Sequence, residues 1–172
     1  MLAKHSVVPG ALLLDSDEWS FYLHHRTPHL NTHPLDFKNI GGKMQELIEL
    51  AKKALANSYS PYSNFRVASA VKTKSGKTYT GVNIENSSYG LTICAERVAV
   101  SKAVSEGDRD IETVVVYTDT DEPTPPCGAC RQFIAEFNRE ANIIIAWRKG
   151  VKQVNLKDLL PLAFTGEKLG KT

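Results

Sequence analysis

Two short segments contain all three cysteines of the chain: Thr92-Ile93-Cys94-Ala95-Glu96-Arg97 and Pro126-Cys127-Gly128-Ala129-Cys130-Arg131. An apolar, helix-like run follows each segment, so each places its thiols at the start of a predicted helix. Free backbone N–H groups and the positive end of the helix dipole favour thiolate over thiol at such a position. The two segments therefore predict two helices that begin at sulfurs able to bind a metal ion.

The spacing of these sulfurs indicates a catalytic metal site. Cys127 and Cys130 lie on one face of a helical turn and can bind one ion together, with Cys94 as a third ligand. Structural zinc sites normally have four protein ligands, whereas catalytic sites have three and leave one position for water. A redox dithiol would need neither the third cysteine nor the nearby Glu96. The full pattern, C-x-E followed by P-C-x-x-C, has the form of the zinc-deaminase signature, which predicts one catalytic Zn²⁺ per chain.

Composition narrows the class of protein. The chain has 172 residues, 42% hydrophobic and 23% charged, as expected of a soluble protein with one main domain. The net charge of +2 argues against a dedicated polyanion binder, and no apolar run approaches the length of a membrane span. We therefore expect neither nucleic acid nor a membrane as a partner. The odd number of cysteines suits a disulfide framework poorly, which predicts a reducing compartment, the cytoplasm.

Residues 1–42 differ from the remainder of the chain. They contain every histidine of the protein, His5, His24, His25, His29 and His33. A metal site in the core therefore has no histidine ligand and depends on the three cysteines. Prolines and the pair Gly41-Gly42 interrupt any long element, so we expect a poorly ordered N-terminal extension rather than a second, histidine-based metal site. Residues 43–172 are predicted to form the zinc-dependent domain.

Hydrophobic periodicity predicts alternating helices and strands beyond this extension. The predicted helices cover about residues 43–58, 94–106 and 127–138, with a short final helix from 156 to 160. The predicted strands cover residues 65–73, 78–84, 111–118 and 142–147, with a short one near 151–154. This alternation predicts an α/β fold, in which helices cover both faces of a mixed sheet of about five strands.

Several ordered blocks between about Met44 and Leu169 carry a family resemblance. The blocks are Pro61-Tyr62-Ser63-Asn64-Phe65, Gly81-Val82-Asn83-Ile84-Glu85-Asn86, Cys94-Ala95-Glu96-Arg97, Pro126-Cys127-Gly128-Ala129-Cys130-Arg131-Gln132 and Leu159-Leu160-Pro161-Leu162-Ala163-Phe164. The chain resembles the cytidine deaminase family, of the small homotetrameric kind with three cysteine ligands. The resemblance implies a three-layer α/β/α sandwich and a homotetramer. It also implies zinc-dependent hydrolytic deamination of cytidine and deoxycytidine to uridine and deoxyuridine plus ammonia, a step of pyrimidine salvage.

The resemblance also gives each matching position a role. Cys94, Cys127 and Cys130 would bind zinc, and Glu96 would carry protons between the water, N3 of the base and the leaving amine. Arg97 would donate hydrogen bonds to the ligand sulfurs, and Arg131 is a second candidate for the same role. The remaining positions would bind the substrate: Asn83 and Glu85 the ribose hydroxyls, Phe65 the pyrimidine face, Tyr89 and Phe164 the sugar and base, and the Ala95 backbone the base edge. Simple burial is the alternative for the three aromatic residues.

One block departs from the family pattern. Val67-Ala68-Ser69-Ala70 also occurs in blasticidin S deaminases, close relatives with the same metal chemistry. Those relatives lack the stacking phenylalanine and the Asn-x-Glu-Asn block, both present here, so cytidine and deoxycytidine are favoured and a blasticidin-like nucleoside is the alternative. A non-catalytic, zinc-stabilised binding module is a further alternative. Glu96 argues against it, because a scaffold has no need of a carboxylate beside an open zinc position.

Overall fold

The computed structural model describes residues 40–170 of the chain, apart from the side chains of residues 167 and 168. The predicted extension with its five histidines therefore lies almost entirely outside the described residues. Within the described range the elements follow one another as α1 (Gly42–Ala54), β1 (Val67–Thr73), β2 (Thr78–Val82), α2 (Ala95–Ser105), β3 (Ile111–Thr118), α3 (Gly128–Ala135), β4 (Asn142–Trp147), β5 (Gly150–Asn155) and α4 (Leu156–Leu159).

The strands form one mixed sheet in the order β2-β1-β3-β4-β5. The pair β3–β4 is parallel, and the other three pairs are antiparallel. β1 and β2 join through a tight turn at Gly76, whose φ of +89° lies in the left-handed region that glycine enters at little cost. The parallel pair needs a crossover connection, and α3 supplies it. This topology confirms the predicted mixed sheet of five strands.

Helices cover both faces of the sheet. On one face, α1 packs Leu47, Ile48 and Ala51 against Ala70 and Val115 in the main hydrophobic core. Successive side chains of a strand point to opposite faces, so the alternate residues of β1 and β3 point to the other face. There α2 contacts β1 and β2, and α3 packs beside α2. The α/β/α layering follows directly from this alternation, and it places both cysteine-bearing helices on the same face.

Gly81 brings α2 unusually close to the sheet. A Cβ atom at this position of β2 would lie 2.5 Å from the carbonyl oxygen of Ala95 and 2.5 Å from the amide nitrogen of Ala99. Real Cβ atoms do not approach backbone atoms so closely. The first turn of α2 therefore rests on the backbone of β2, and this contact sets the position of the helix end that carries Cys94.

Element ends differ modestly from the prediction. The first helix was expected to continue to Ser58, but α-helical geometry ends at Ala54 and a 3₁₀ turn covers Leu55–Asn57. The third helix was expected to reach Asn138, but it ends at Ala135. The Asn138 amide instead donates a 2.7 Å hydrogen bond to the carbonyl of Ile111. None of the helices within residues 40–170 has both the length and the apolar character that crossing a bilayer requires.

Candidate active site

The three cysteine sulfurs meet where α2 and α3 begin. Cys94 is the N-cap of α2 and Cys127 is the N-cap of α3, both with extended backbone, while Cys130 lies buried in the first turn of α3. The Sγ atoms of Cys94 and Cys127 are 3.9 Å apart, and those of Cys127 and Cys130 are 3.6 Å apart. All three sulfurs lie within 4.8 Å of one another. The structure thus brings together residues that the sequence separates.

These distances suit zinc. Tetrahedral zinc with Zn–S bonds of about 2.3 Å places its sulfur ligands roughly 3.8 Å apart, whereas a disulfide needs about 2.05 Å. The observed separations of 3.9 and 3.6 Å match sulfur ligands of zinc rather than a disulfide. Within the described part of the chain, the group of side chains able to hold a metal consists of these three cysteines. A three-thiolate site leaves a fourth tetrahedral position for water or substrate, as catalytic zinc requires.

Arg97 supplies positive charge to this cluster. Its Nη2 atom lies 3.7 Å from Cys94 Sγ and also donates to the carbonyl of Thr92 at 3.3 Å. The pKa of the Cys94 thiol falls to about 5, chiefly because the Cys130 thiol donates to it and also because of Arg97. The pKa of Cys130 rises for the complementary reason, its hydrogen bond to Cys94, together with burial. Zinc binding would require all three sulfurs as thiolates, so its affinity would fall as the pH is lowered.

Glu96 lies beside the sulfurs in the first turn of α2. Its side chain is 3% exposed. Burial is the main cause that raises the pKa of this carboxyl, and the nearby Cys94 sulfur adds to the effect. A carboxyl whose pKa is moved toward neutrality can both accept and release a proton near the operating pH. Its position and environment are therefore those of a general acid–base group.

A cavity of about 300 Å³ opens onto this centre, and its lining includes Phe65, Asn83, Glu85, Ala95 and Glu96. A neighbouring cavity of about 360 Å³ shares Glu85 and adds Tyr89. These volumes are in the range of small-molecule sites. A larger groove of about 890 Å³ runs along α1 and the β1–β2 turn, but its described lining contains no cysteine. The chemistry of the lining, rather than size, identifies the candidate active site.

Asn83 and Glu85 are both anchored within the protein. The Asn83 oxygen accepts hydrogen bonds from the Ser58 hydroxyl at 2.6 Å and from the Val67 N–H at 2.9 Å, and its amide donates to the Phe65 carbonyl at 2.8 Å. These bonds leave the Asn83 side chain one N–H for a ligand. Hydrogen bonds from the Ser63 hydroxyl and from two backbone N–H groups lower the pKa of Glu85. Glu85 is therefore a fixed, ionised acceptor.

The other predicted site residues divide into two groups. Phe65 and the Ala95 backbone line the cavity at the cysteines, and Tyr89 lines its neighbour. Phe164 is 60% exposed, and within this chain it is not among the described residues that line either cavity. The Arg131 guanidinium donates to two carbonyls, Pro126 at 2.8 Å and Leu159 at 2.9 Å. Its described hydrogen bonds thus hold the segment before Cys127 rather than the sulfurs.

Ser63 is a polar group at this site for which the sequence analysis predicts no role. It lies in the turn before Phe65, lines both cavities and hydrogen-bonds Glu85. Serine is common in turns for local reasons, so its presence in the sequence carries little information. The Pro61-Tyr62-Ser63 block could have drawn attention to it, but its partner became visible only in the folded chain.

Fold and site together define an α/β protein with three cysteine sulfurs at zinc-ligand spacing and a buried carboxyl beside them. Residues 42–146 match the family model for the cytidine and deoxycytidylate deaminase zinc-binding region. The chain belongs to this family. The predictions of family, α/β fold and zinc cofactor are therefore confirmed.

Individual relatives agree with this assignment. A cytidine deaminase from Halalkalibacterium halodurans is 46% identical over 125 residues, which cover 72% of this chain and 95% of that protein. The crystal structure of a cytidine deaminase from Burkholderia pseudomallei matches with a TM-score of 0.68 and 40% identity, over 73% of this chain and 100% of that one. A blasticidin-S deaminase from Bacillus cereus is 30% identical over 135 residues, 74% of this chain and 96% of that protein.

Proposed function

We propose that this protein hydrolytically deaminates cytidine and deoxycytidine to uridine and deoxyuridine and releases ammonia. The observation that carries the proposal is the buried Glu96 carboxyl beside three sulfurs with zinc-ligand spacing, at the base of a cavity that a small molecule can enter. Cys94, Cys127 and Cys130 would hold the ion. When bound, zinc supplies Lewis-acid activation of water for attack on C4 of the pyrimidine.

The protein's own groups manage protons and charge. Glu96 would accept one proton from the attacking water and pass it to N3 of the base. It would then take the proton of the new C4 hydroxyl and deliver it to the amine, so that the C4–N bond breaks and ammonia leaves. Three thiolates carry more negative charge than the ion carries positive charge, which would weaken its Lewis acidity. Arg97 and the N-termini of α2 and α3 offset part of that charge. The Ala95 backbone, at the first position of α2, can contact the polar edge of the base.

Nucleoside recognition is assigned to the cavity walls. Phe65 is 41% exposed and can offer its ring to the pyrimidine. Glu85 can accept a hydrogen bond from a sugar hydroxyl, and the remaining Asn83 N–H can donate one. Tyr89 is 77% exposed and packs edge-on against Tyr62, with ring centroids 6.0 Å apart. These two rings can shield the sugar from water.

We also propose a homotetramer. Leu162 and Phe164, in the tail after α4, are 95% and 60% exposed. Exposure of such large apolar side chains to water is unfavourable and often marks an interaction surface. An adjoining subunit would cover them, and Phe164 could then help to close a neighbouring active site. Light scattering tests this assembly. A fully active species with the mass of one 19.0 kDa chain would contradict it.

The setting of the enzyme follows from the same residues. All three cysteines are free, and as zinc ligands they have to stay reduced. We therefore propose a reducing compartment, the cytoplasm. The proposed conversion of cytidine and deoxycytidine to uridine and deoxyuridine would place the protein in pyrimidine salvage. Residues 43–172 would form the catalytic domain, since the family match begins at residue 42 and every proposed site residue lies beyond it. Residues 1–42 would then be an appendage that catalysis does not need.

A blasticidin-like nucleoside is the second candidate substrate. Two observations favour it: the Val67-Ala68-Ser69-Ala70 block, and an Asn83 amide whose oxygen is already occupied by Ser58 and Val67. Weak recognition of ribose would permit a different sugar. The presence of Phe65 and of the anchored Glu85 favours cytidine.

The decisive assay follows the ultraviolet absorbance of cytidine, deoxycytidine, cytosine, CMP and blasticidin S with zinc-loaded, full-length protein. We expect turnover of the first two. Glu96→Gln should keep one zinc per chain and lose about 10³-fold or more of kcat, because it removes acid–base catalysis and an interaction with developing charge. Near-normal turnover by a zinc-replete Glu96→Gln protein would contradict the mechanism, and selective turnover of blasticidin S would establish the second candidate.

A further inference from the structure

The Glu85 carboxylate is held by a single turn, residues 60–64. Its Oε2 atom accepts hydrogen bonds from the backbone N–H groups of Tyr62, at 2.8 Å, and Ser63, at 3.2 Å, while the Ser63 hydroxyl donates to Oε1. Asn64 closes the turn with a φ of +56°, which asparagine tolerates better than most residues, and its N–H donates to the Ser60 carbonyl at 3.0 Å. Three donors from one turn therefore fix one carboxylate.

The Ser63 hydroxyl has a second partner. It accepts a 3.0 Å hydrogen bond from the Phe65 N–H while it donates to Glu85. One hydroxyl thus connects the carboxylate proposed to bind the sugar with the backbone of the ring proposed to stack on the base. Both Glu85 and Phe65 line the cavity at the cysteines.

Counting lone pairs shows what this arrangement leaves free. An ionised carboxylate offers about four acceptor sites. Two backbone N–H groups occupy Oε2, and the Ser63 hydroxyl occupies one site on Oε1. One site, on Oε1, is then left for a donor from outside the turn. Ser63 is also the largest cause of the lowered pKa of Glu85, so the carboxylate remains an acceptor at neutral pH.

We propose that Ser63 is a positioning residue for nucleoside recognition: its hydroxyl sets the rotamer of Glu85, and thereby aims the free Oε1 lone pair at a sugar hydroxyl. The inference rests on the proposed function, in which Glu85 contacts the sugar. Without the hydroxyl, the Oε2 bonds still tether Glu85, but Oε1 can rotate. Ser63 therefore acts on the sugar through Glu85.

A purely structural role for Ser63 predicts something different. If the hydroxyl only shaped the turn, its removal would affect every substrate alike, whatever sugar the base carries. If it positions Glu85, its removal matters only for a substrate with a hydroxyl that Glu85 can bind. The two roles can be separated by comparing cytidine with 2′,3′-dideoxycytidine, which lacks the 2′ and 3′ hydroxyls, the proposed partners of Glu85.

The test uses full-length, zinc-loaded Ser63→Ala. We expect KM for cytidine to rise roughly tenfold, the effect of a weakened hydrogen bond to a charged group, while kcat stays within about twofold. For 2′,3′-dideoxycytidine, KM should be unchanged from that of the unsubstituted protein. Partial unfolding would lower the apparent kcat for both substrates equally and would leave each KM unchanged. Ser63→Thr, which keeps the hydroxyl, should restore the cytidine KM.

Ser60→Ala is the matched control, because it removes a hydroxyl from the same turn that makes no described hydrogen bond to Glu85. It should leave both KM values unchanged. Equal KM changes for the two substrates in Ser63→Ala would overturn the inference. Glu85→Gln tests the sugar contact separately from the positioning by Ser63. If Glu85→Gln raises KM for cytidine alone and Ser63→Ala does not, Glu85 contacts the sugar but the inference about Ser63 fails. If the unsubstituted protein deaminates neither nucleoside, the proposed function fails and the inference with it.

Discussion

Gly81→Ala tests how the sheet positions the metal site. The added methyl carbon would lie 2.5 Å from two backbone atoms of α2, the Ala95 oxygen and the Ala99 nitrogen, and 2.9 Å from the Val98 Cβ. Ordinary contact distances are 3.4 Å or more, so α2 has to move by about 1 Å to make room. Rotation of a side chain cannot relieve the clash, because two of the three atoms belong to a helix backbone.

The expected cost lies at the upper end of the range for overpacking, about 3 kcal/mol of unfolding free energy. For a domain of this size, that loss corresponds to a melting temperature lower by roughly 10 °C. The displaced helix also carries Cys94, whose sulfur is 3.9 Å from that of Cys127. A shift of about 1 Å disturbs the tetrahedral spacing, so zinc affinity should fall by about tenfold or more, as for other changes around a ligand shell.

Thermal melting and zinc transfer to a coloured chelator measure the two effects. Gly42→Ala is the matched control: it makes the same chemical change in α1, where a Cβ has nothing within 4 Å. Because alanine is the better helix former by about 0.5–1 kcal/mol, this variant should keep its zinc and melt no lower than the unsubstituted protein. If Gly81→Ala melts within about 2 °C of the unsubstituted protein and retains zinc equally well, the close packing of α2 on β2 does not position the site.

Three further changes have defined outcomes. Cys130→Ala should lose stoichiometric zinc and the metal's share of stability, about 4 kcal/mol at a thousandfold excess of zinc over Kd, as read by metal content and melting. Asp108→Asn should lower the melting temperature at pH 7, because the hydroxyls of Ser75 and Thr73 bind the charged carboxylate and lower its pKa. That stabilisation is present above the unfolded pKa of about 4 and is lost as the pH falls through the folded value, so the two melting curves should converge in acid. Phe164→Ala should raise KM more than it lowers stability if the ring serves a neighbouring subunit. If Phe164→Ala and the unsubstituted protein have the same KM at a concentration where the tetramer persists, Phe164 does not contribute to a neighbouring active site.

Local patterns in the sequence were enough to determine most of the fold. The strands Ile111–Thr118 and Asn142–Trp147 match their predicted bounds because each is an uninterrupted run rich in β-branched residues. The helices at Cys94 and Cys127 start where predicted, since the apolar run after each cysteine fixes the helix. Spacing alone also identified the cysteine trio, because zinc chemistry restricts which residues can bind the ion. Helix ends were less predictable, as at Asn138, where a hydrogen bond to the distant Ile111 carbonyl accompanies the early end.

Only the tertiary structure decided how the polar side chains are used. The family resemblance implies that Asn83 binds ribose, and the folded chain shows that its amide also joins Ser58, Phe65 and Val67, which leaves one N–H for a ligand. Arg131 was a candidate donor to the sulfurs, but its described hydrogen bonds go to backbone carbonyls. Ser63 had no predicted role and holds Glu85. Hydrophobic periodicity is a local property that the sequence displays directly. A hydrogen-bond partner depends on which distant groups the fold places within about 3 Å, so it becomes visible only once the chain is folded.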